Sequence, residues 1–543
     1  MWKKRGVYSS IKELFLSNMG VDSTDEVNEW FKKHYNHQYR IDLLNEAVEM
    51  TRQYKDRNIL IVGDYDADGI TSTSILVLAL RWAGFKNVSY RIPKRFSEGF
   101  GINENIIDEA DNGLIITCDN GFAQTDVISK AKNKGLKVIV LDHHLAEVDN
   151  GLQVISPADI AIDPSAMPHT ADFDGYCGAG LCYKFAEILL DYDKTMLSKL
   201  MSLAAIGTVA DVMKLRSENY VIVRNGMKCM VNYNTSMPGL YAILSKANLI
   251  SHITAKDIGF KIGPVINAAS RMNNTGANGV IEILTFEGPY EEILESVDHL
   301  FAVNDLRKDL ENEALIKAEE VIEGEWDKKA PLIITLRDTH EGILGIIAGK
   351  LAEKYSVPAV VLTNIEGGRL KGSARTFGDY DIKEHFDEAS NTLLVYGGHK
   401  EAGGLTLLEK NYDAFVSIMH EKSSDFVSEV NNDTYYDFEI SASEVPDMIK
   451  ELSKYEPFGE GNPLPVFKVK DFTTIEKWGE FKKIMGKNKD SVKVFSRYAD
   501  AVGIGQAEKL KYFTSGNLSF IGTLSDNYYN NNVTHQIMFT DVQ

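Results

Sequence analysis

Three short apolar runs along the chain each lead into an acid: NILIVG precedes Asp64, GLIIT precedes Cys118 and Asp119, and LKVIV leads to Asp142. Apolar runs without polar alternation read as strands buried on both faces, the pattern of parallel sheets. Between them, TSTSILVLALRWAG and AQTDVISKAKNKG carry helical spacing, so the order is strand, helix, strand, with right-handed parallel crossovers. Parallel strands end along one edge of their sheet, which is where open α/β folds hold ligands. The predicted fold class is α/β, and Asp64, Asp66, Asp68, Asp119 and His143 are expected to meet at that edge.

Further along, LENEALIKAEEVIEGEW at 310–326 reads as a long, partly acidic helix, a solvated connector between a first and a second domain. PLIITL then opens a new apolar run, and VNNDT near 432 marks the next boundary. The division expected is an N-terminal helical segment over 1–44, a parallel-sheet catalytic domain over 45–305, a connecting helix over 306–335, a smaller α/β domain over 336–430 and a C-terminal β-barrel over 431–543. No internal repeat or low-complexity tract interrupts this order. With 543 residues, 44% hydrophobic and 25% charged, the chain has room for three or four domains and too many apolar residues to be disordered.

Cysteine usage and hydropathy narrow the setting. Cys118, Cys177, Cys182 and Cys229 have no CxxC or CxxH spacing, which points away from a zinc site and from a disulfide framework and fits a reducing cytoplasm. MWKKRGVYSSIKELF is basic but has no apolar run of signal length, and no stretch of about 18 apolar residues occurs. A soluble cytoplasmic protein without membrane contact is expected, and nothing in the chain demands more than a monomer.

The chemistry lies in five motifs: GDYDADG at 63–69, TCDNG at 117–121, DHH at 142–144, VADV at 209–212 and GGHKEAGG at 397–404. Aspartates packed within a few ångströms repel and take up protons, at about 1.4 kcal/mol per pKa unit, unless cations hold them ionised. Hard oxygen ligands with an imidazole suit Mn2+ or Mg2+, and two such ions about 3.5–4 Å apart can activate water and steady a leaving oxygen. The implied reaction is phosphodiester hydrolysis by in-line attack, with no serine or cysteine nucleophile. A calcium loop is the other reading of DxDxDG, but Ile75 stands where its closing Glu is needed. DHH alone could be a pair of histidines beside a turn, and Asp211 in VADV an ordinary helix-end acid. KGSAR at 371–375 offers a guanidinium fork for phosphate oxygens, and GGHKEAGG offers unobstructed amides flanking His399 and Lys400; both could also be glycine-rich turns joining strands.

The formal net charge of −20 runs against nucleic-acid binding, which draws affinity from positive potential along the phosphates. Local charge offsets it: Lys468 to Arg497 contains nine basic residues and four acids, interleaved with Trp478, Phe481, Phe495 and Tyr498. Lysines for the backbone beside aromatics for stacking suit a single-strand-binding surface, although such aromatics also fill small barrel cores. The acidic 310–326 helix is expected to help keep duplex away from a narrow basic path.

These motifs together resemble the DHH phosphoesterases and, within them, the RecJ-like single-strand-specific 5′ to 3′ exonucleases. The resemblance covers about residues 45–543. GDYDADG with TSTS behind it, IPKRFSEGFG at 92–101, TCDNG, LDHH, GTVADV and NAASR at 267–271 stand in the family's order, GGHKEAGG resembles the signature of the DHH-associated second domain, and EPFGEGNPLPVF at 456–467 resembles the lead-in to an OB-fold. The resemblance implies two Mn2+ or Mg2+ ions on Asp64, Asp66, Asp68, Asp119, His143 and Asp211, with Asp119 bridging and His144 on the scissile phosphate. It implies that Arg95, Arg271, Ser373 and Arg375 hold the 5′ phosphate of the strand, that Phe100 stacks on a base, and that Gly398 and His399 belong to the substrate pocket. Single-stranded DNA as substrate, a single-strand-binding protein and a helicase as partners, and a role in DNA repair and recombination follow from the same resemblance.

The chain departs from the family pattern at Val265, where an arginine is common, at Ser270, where glycine is usual, and at Thr376 and Phe377 after KGSAR. These changes bear on the phosphate contacts and leave the metal motifs whole. Two other functions are compatible with the motifs: a phosphodiesterase of the same superfamily acting on short oligonucleotides or cyclic dinucleotides, which would not need the C-terminal module, and a non-catalytic replication scaffold, whose acids would be expected to decay.

Overall fold

The chain was analysed as a computed structural model that describes all residues except 1, 22–26, 37–38, 145, 147, 150–151, 167–170, 424–425, 427–432, 487–488, 512 and 530–531. Contacts divide it into two compact units, one comprising Met1–Asn267, Ala277–Asp298 and Asp433–Gln543, the other Ala268–Gly276 and His299–Asn432.

In the first unit the apolar runs form a parallel sheet of β1 (Ile59–Val62), β2 (Val88–Arg91), β3 (Leu114–Cys118), β4 (Lys137–Leu141) and β5 (Ile160–Ile162), in the order β2-β1-β3-β4-β5. Every neighbouring pair is parallel. The chain passes from β1 outward to β2 and returns on the other side to β3, so β1 and β3 flank the point where the winding reverses, and their C-terminal ends open onto a crevice.

Helix α1 (Ala67–Trp82) follows β1 and is buried on all sides from Ala67 to Leu80. Three of the four hydroxyls of its polar TSTS start offset burial by bonding back along the helix: Thr71 to the Ala67 carbonyl at 2.7 Å, Thr73 to Gly69 at 2.8 Å and Ser74 to Ile70 at 2.8 Å, while Ser72 Oγ finds no partner among the described residues. The AQTDVISKAKNKG stretch forms α2 (Thr125–Asn133). Helices α3 (Gly178–Leu189), α4 (Lys194–Ala210) and α5 (Ser217–Met230) follow, with α3 and α4 packed on α1 and α5 packed on α4.

The 310–326 stretch belongs to a longer helix, α6 (Leu294–Glu325), which is not simply a solvated connector. Ala314, Ala318 and Ile322, spaced four apart, are buried against Leu332, Ile334, Ile347 and Leu351. The second unit's sheet comprises β6 (Leu332–Thr335), β7 (Ala359–Ile365), β8 (Arg369–Arg375), β9 (Leu393–His399) and β10 (Ala402–Leu408), in the order β9-β10-β8-β7-β6. The PLIITL run is thus an edge strand of this sheet, and helix α7 (Leu344–Tyr355) packs on β7 and β8.

The C-terminal β domain forms one seven-stranded sheet in the order β11-β12-β16-β17-β15-β14-β13. Its strands are β11 (Phe438–Ser441), β12 (Phe467–Thr473), β13 (Lys482–Met485), β14 (Ser491–Val494), β15 (Asp500–Gly503), β16 (Asn517–Tyr529) and β17 (Asn532–Val542). The N-terminal segment joins this domain: Trp2–Lys4 pairs in parallel with Thr434–Tyr436, and Ile11, Phe15, Leu16 and Trp30 share a core with Phe467, Val469 and Phe520. Phe15 is the hub, with ring centroids 5.5 Å from Trp30, 5.5 Å from Tyr220 of α5 and 5.2 Å from Tyr455.

A Phe15→Ala substitution is expected to cost about 3–5 kcal/mol by emptying this buried aromatic cluster, measured as a lowered urea midpoint; a midpoint equal to the parent's would show that the cluster does not join the N-terminal helices to the C-terminal core.

Candidate metal and phosphate site

The crevice between β1 and β3 collects the predicted ligands. Asp64 lies just past β1, Asp119 follows β3 directly, Asp142 and His143 follow β4, and Asp211 caps the C-terminus of α4. Asp66 is the N-cap of α1, its Oδ1 accepting from the Asp68 and Gly69 amides at 3.0 Å each, while the Ala67 amide donates to Asn267 Oδ1 at 2.8 Å. Asp119 sits in the left-handed region at φ 62°, a conformation Asp tolerates better than most residues, with its amide held by the Leu141 carbonyl at 2.9 Å.

Among the described residues, three overlapping groups have ligand atoms within 4.8 Å of one another: Asp64 with Asp66 and Asp119; Asp68 with His143 and Asp211; and Asp119 with His143 and His144. His143 Nε2 lies 3.0 Å from Asp119 Oδ1, 3.5 Å from Asp68 Oδ2 and 3.7 Å from Asp211 Oδ2. All six metal ligands expected from the sequence are therefore brought together.

The electrostatics fit divalent cations. Burial, followed by the charge of Asp66, pushes the Asp64 carboxyl well above the usual range. Burial and then the charges of Asp68, Asp66, Asp64 and Asp211 do the same to Asp119, and Asp211 is pushed up to about 8 by burial and then by Asp68 and Asp66. Asp64 Oδ1 is buried with no hydrogen-bond partner among the described residues. A buried, mutually repelling set of oxygens with one imidazole is a donor set for Mn2+ or Mg2+, which would return the carboxylates to the ionised form.

His144 is handled differently. Its Nδ1 lies 2.8 Å from Asp142 Oδ1, which also accepts from the backbone amides of His143 and His144 at 2.8 and 3.3 Å, while Asp142 Oδ2 accepts from Phe122 N–H at 2.9 Å. Burial opposes protonation of His144, but the hydrogen bond and charge of Asp142, with Asp211 and Asp66, raise it to about 9. An imidazole so held, its ring 4.6 Å from that of His143, can donate to a phosphate oxygen when protonated. Asp142 was not among the site residues expected from the sequence; its signal was its place as the first letter of DHH. Phe100 packs edge-on to His144 at 5.3 Å, and Arg95 lies over the Tyr65 ring at 4.4 Å.

The other predicted residues gather in the second unit. KGSAR is not a turn; it lies within β8, paired antiparallel with β10 so that Ser373 is opposite Gly404, which is opposite Gly397 of β9. GGHKEAGG is the β9–β10 hairpin, with Gly398 at φ 139° and no room for a Cβ against the Ala402 carbonyl. A Cβ at Gly397 would meet nothing, so the row beside Ser373 is exposed backbone. Arg375 and His399 lie two residues further along, both opposite Ala402. The Arg375 guanidinium lies against Gly345 at the start of α7, and Arg271 Nη1 donates to the Gly342 carbonyl at 3.3 Å. Arg271 and Arg375 thus flank one helix start, a favourable place for a phosphate. The THEGILG stretch that supplies this start was not identified from the sequence.

The basic surface of the C-terminal domain needs correction. Lys468 and Lys470 pair with Glu439 at 2.9 and 3.0 Å, and Lys477 and Lys493 with Asp500 at 2.9 and 3.0 Å. Both acids lie outside the 468–497 window and fold onto it, so its local excess overstates the exposed positive charge. Phe495 is core at 2% exposure, Phe481 is half-buried, and Tyr498 and Trp478 are exposed, Trp478 at 87%. Lys487 lies outside the described residues.

A carboxylate and imidazole cluster at the reversal point of a parallel sheet, joined to a second unit with two arginines at a helix start, defines the DHH class of phosphoesterases. The DHH family N-terminal domain matches residues 58–208, the DHHA1 domain 329–425 and the RecJ OB domain 436–541. The chain is 30% identical over 489 residues to the single-stranded-DNA-specific exonuclease RecJ of Haemophilus influenzae, covering 85% of this chain and 81% of that protein. It is 30% identical over 516 residues to its namesake in Bacillus subtilis, covering 92% of this chain and 63% of that longer protein. The crystal structure of RecJ in complex with Mn2+ from Thermus thermophilus shares the fold with a TM-score of 0.79 at 23% identity, covering 100% of this chain and 79% of that one. The chain belongs to the RecJ family.

In the metal-free protein, Asp142→Asn is expected to lower the His144 titration from about 9 toward the ordinary imidazole value of 6.5, read by NMR of the ring protons. By linkage, a raised histidine contributes stability that is complete below the unfolded value and is lost as the pH rises through about 9, so the histidine-dependent loss in the variant should be largest below about 6.5, shrink between that value and about 9, and vanish above it. An unchanged titration would remove Asp142 as the cause.

Proposed function

We propose that this protein is a metal-dependent exonuclease that hydrolyses single-stranded DNA from a 5′ end to mononucleotides, acting in DNA repair and recombination. The observation that carries this reading is that Asp64, Asp66, Asp68, Asp119, His143 and Asp211 are all present and fall into linked groups of close ligand atoms, in a chain whose relatives are named for single-stranded-DNA-specific exonuclease activity. A scaffold would have no need to keep every costly buried acid in place.

Asp64, Asp66, Asp68, Asp119, His143 and Asp211 would hold two ions, Mn2+ or Mg2+, with Asp119 as the shared ligand, a role supported by its closeness both to Asp64 and Asp66 and to His143. Bound there, such ions supply Lewis-acid activation of water and neutralise charge on the phosphodiester. His144, fixed by Asp142, donates to a non-bridging oxygen of the scissile phosphate. Phe100, edge-on to His144, offers a face to the adjacent base, and Arg95 offers a cation to the strand's phosphate. Arg271, Ser373 and Arg375 accept the 5′ phosphate, with the exposed amides near Gly398 and the His399 ring completing its surroundings. Val265 and Ser270 leave this pocket to those arginines.

The C-terminal domain binds the strand through exposed Trp478 and Tyr498 and the lysines not neutralised by Glu439 or Asp500. The protein acts as a monomer in the cytoplasm and works with a single-strand-binding protein and a helicase that expose its substrate.

The test is degradation of 3′-labelled, 5′-phosphorylated DNA, single-stranded against duplex, with Mn2+ and with chelator. Shortening of the single strand alone, from its 5′ end, with metal required and at least about 1,000-fold slower turnover for Asp119→Ala, is expected. Long DNA left intact while dinucleotides are hydrolysed would replace this reading with a small-substrate phosphodiesterase. Removal of residues 435–543 is expected to weaken binding of long strands by at least about tenfold, as measured by fluorescence anisotropy; retained binding and full activity would count against a strand-binding role for that domain.

A further inference from the structure

We infer that Tyr176 and Glu218 are positioning residues for the metal-binding carboxylate Asp68, acting through the first turn of α3; the inference rests on the metal reading above. The first two amides of α3 grip both oxygens of that carboxylate: Gly178 N–H donates to Asp68 Oδ2 at 2.7 Å and Ala179 N–H to Asp68 Oδ1 at 2.9 Å. The aligned peptide dipoles at a helix start favour the anion, and two donors on two oxygens fix the plane of the carboxyl group. Asp68 Oδ2 is also the oxygen 3.5 Å from His143. Movement of the α3 start therefore moves a ligand atom.

Close packing leaves that start no slack. A Cβ at Gly178 would lie 2.6 Å from Asp119 Cβ, and one at Gly207 of α4 would lie 2.5 Å from Asp68 Oδ1. Three buried contacts from the first turn of α5 then brace α3 on both sides of the amide clamp. The Tyr176 hydroxyl donates to Glu218, Lys184 Nζ lies 2.7 Å from Glu218 Oε1, and Asn219 Nδ2 donates to the Gly175 carbonyl at 2.6 Å. Tyr176, Lys184, Glu218 and Asn219 are all buried.

A buried ion pair is a poor source of stability, because desolvation of both charges cancels much of their attraction, and apolar residues of equal volume would serve a purely structural core as well. What Glu218 adds is direction: one carboxylate accepts from a residue before the clamp and from a residue after it. The segment that carries Glu218 and Asn219 also follows Asp211 directly, so 211–219 holds one ligand at its start and braces the support of another at its end. Outer partners that orient a ligand typically change metal affinity about 10–100-fold when removed.

The experiment is Mn2+ binding to the full-length chain, followed by loss of the free-ion electron paramagnetic resonance signal, for the parent, Tyr176→Phe, Glu218→Gln and Gly207→Ala, with thermal melts in chelator alongside. Tyr176→Phe removes one hydroxyl and keeps the ring, so its melt is expected within a few degrees of the parent while Mn2+ binding weakens about tenfold; activity lost at low Mn2+ is recovered by raising it. Gly207→Ala, whose Cβ would press on Asp68 Oδ1 directly, is expected to weaken Mn2+ binding in the same direction and serves as the positive control, while Glu218→Gln, which keeps the side chain's shape, carries the test should Tyr176→Phe fail to fold. A folded Tyr176→Phe that binds Mn2+ as the parent does overturns the inference alone, whereas a parent that takes up no Mn2+ overturns the metal reading beneath it.

Discussion

The structure depends on the repulsion of carboxylates packed out of water. Asp64, Asp66, Asp68, Asp119 and Asp211 crowd one crevice, and three of them, Asp64, Asp119 and Asp211, are pushed upward by burial and by one another. The fold meets this conflict with fixed dipoles wherever it can. Asp66 caps α1, Asp68 is held by the start of α3, and Asp142 accepts four hydrogen bonds and carries His144 with it. What remains after those dipoles is a set of oxygens, with the orphaned Asp64 Oδ1 among them, suited to divalent cations.

The fully buried α1 and its flanking glycines follow from the same constraint. A helix that delivers Asp66 and Asp68 from its N-terminus into a crevice must pass between the sheet and the helices α3 and α4, which explains why TSTS is buried and why Thr71, Thr73 and Ser74 bond back onto the backbone. The side of α3 and α4 that meets the carboxylates can carry only glycine at 178 and 207. Beyond α4, the segment 214–224 receives the lead-in to the C-terminal domain: Leu215 N–H donates to the Glu460 carbonyl at 2.7 Å, and the Tyr220 hydroxyl to that of Glu456 at 2.7 Å. The seven-stranded domain is thereby fastened to the chain just after Asp211.

Much of the site was legible in the linear order of residues. The runs NILIVG, GLIIT and LKVIV carry their own periodicity, each leads to an acid, and parallel pairing brings such ends to one edge, so Asp64, Asp66, Asp68, Asp119 and His143 could be expected there before any packing was known, whereas Asp211 was expected only through the family resemblance. The second unit was legible as residue types but not as shape: KGSAR and GGHKEAGG have the composition of turns, and only the pairing of β8 with β10 and of β10 with β9 makes the first a strand and the second a hairpin. The helix at 310–326 was misjudged for a related reason. Its acids mark a solvated face, while the small Ala314 and Ala318 that mark its buried face carry little hydrophobic signal.

Strand and helix order, fold class, the ligand set and the phosphate-binding residue types were all set by the linear sequence, because they depend on local period and on chemistry carried by single side chains. Chain closure alone settled which partners complete them: the α3 amides on Asp68, Asn267 at the start of α1, the helix start between Arg271 and Arg375, and the acids Glu439 and Asp500 that neutralise four of the lysines counted as free. Most of those partners lie tens to hundreds of residues away, and no local pattern specifies a contact made by folding. Charge and hydrogen bonding act through distance in space, so a window of sequence can state what a residue could do but not what is brought against it.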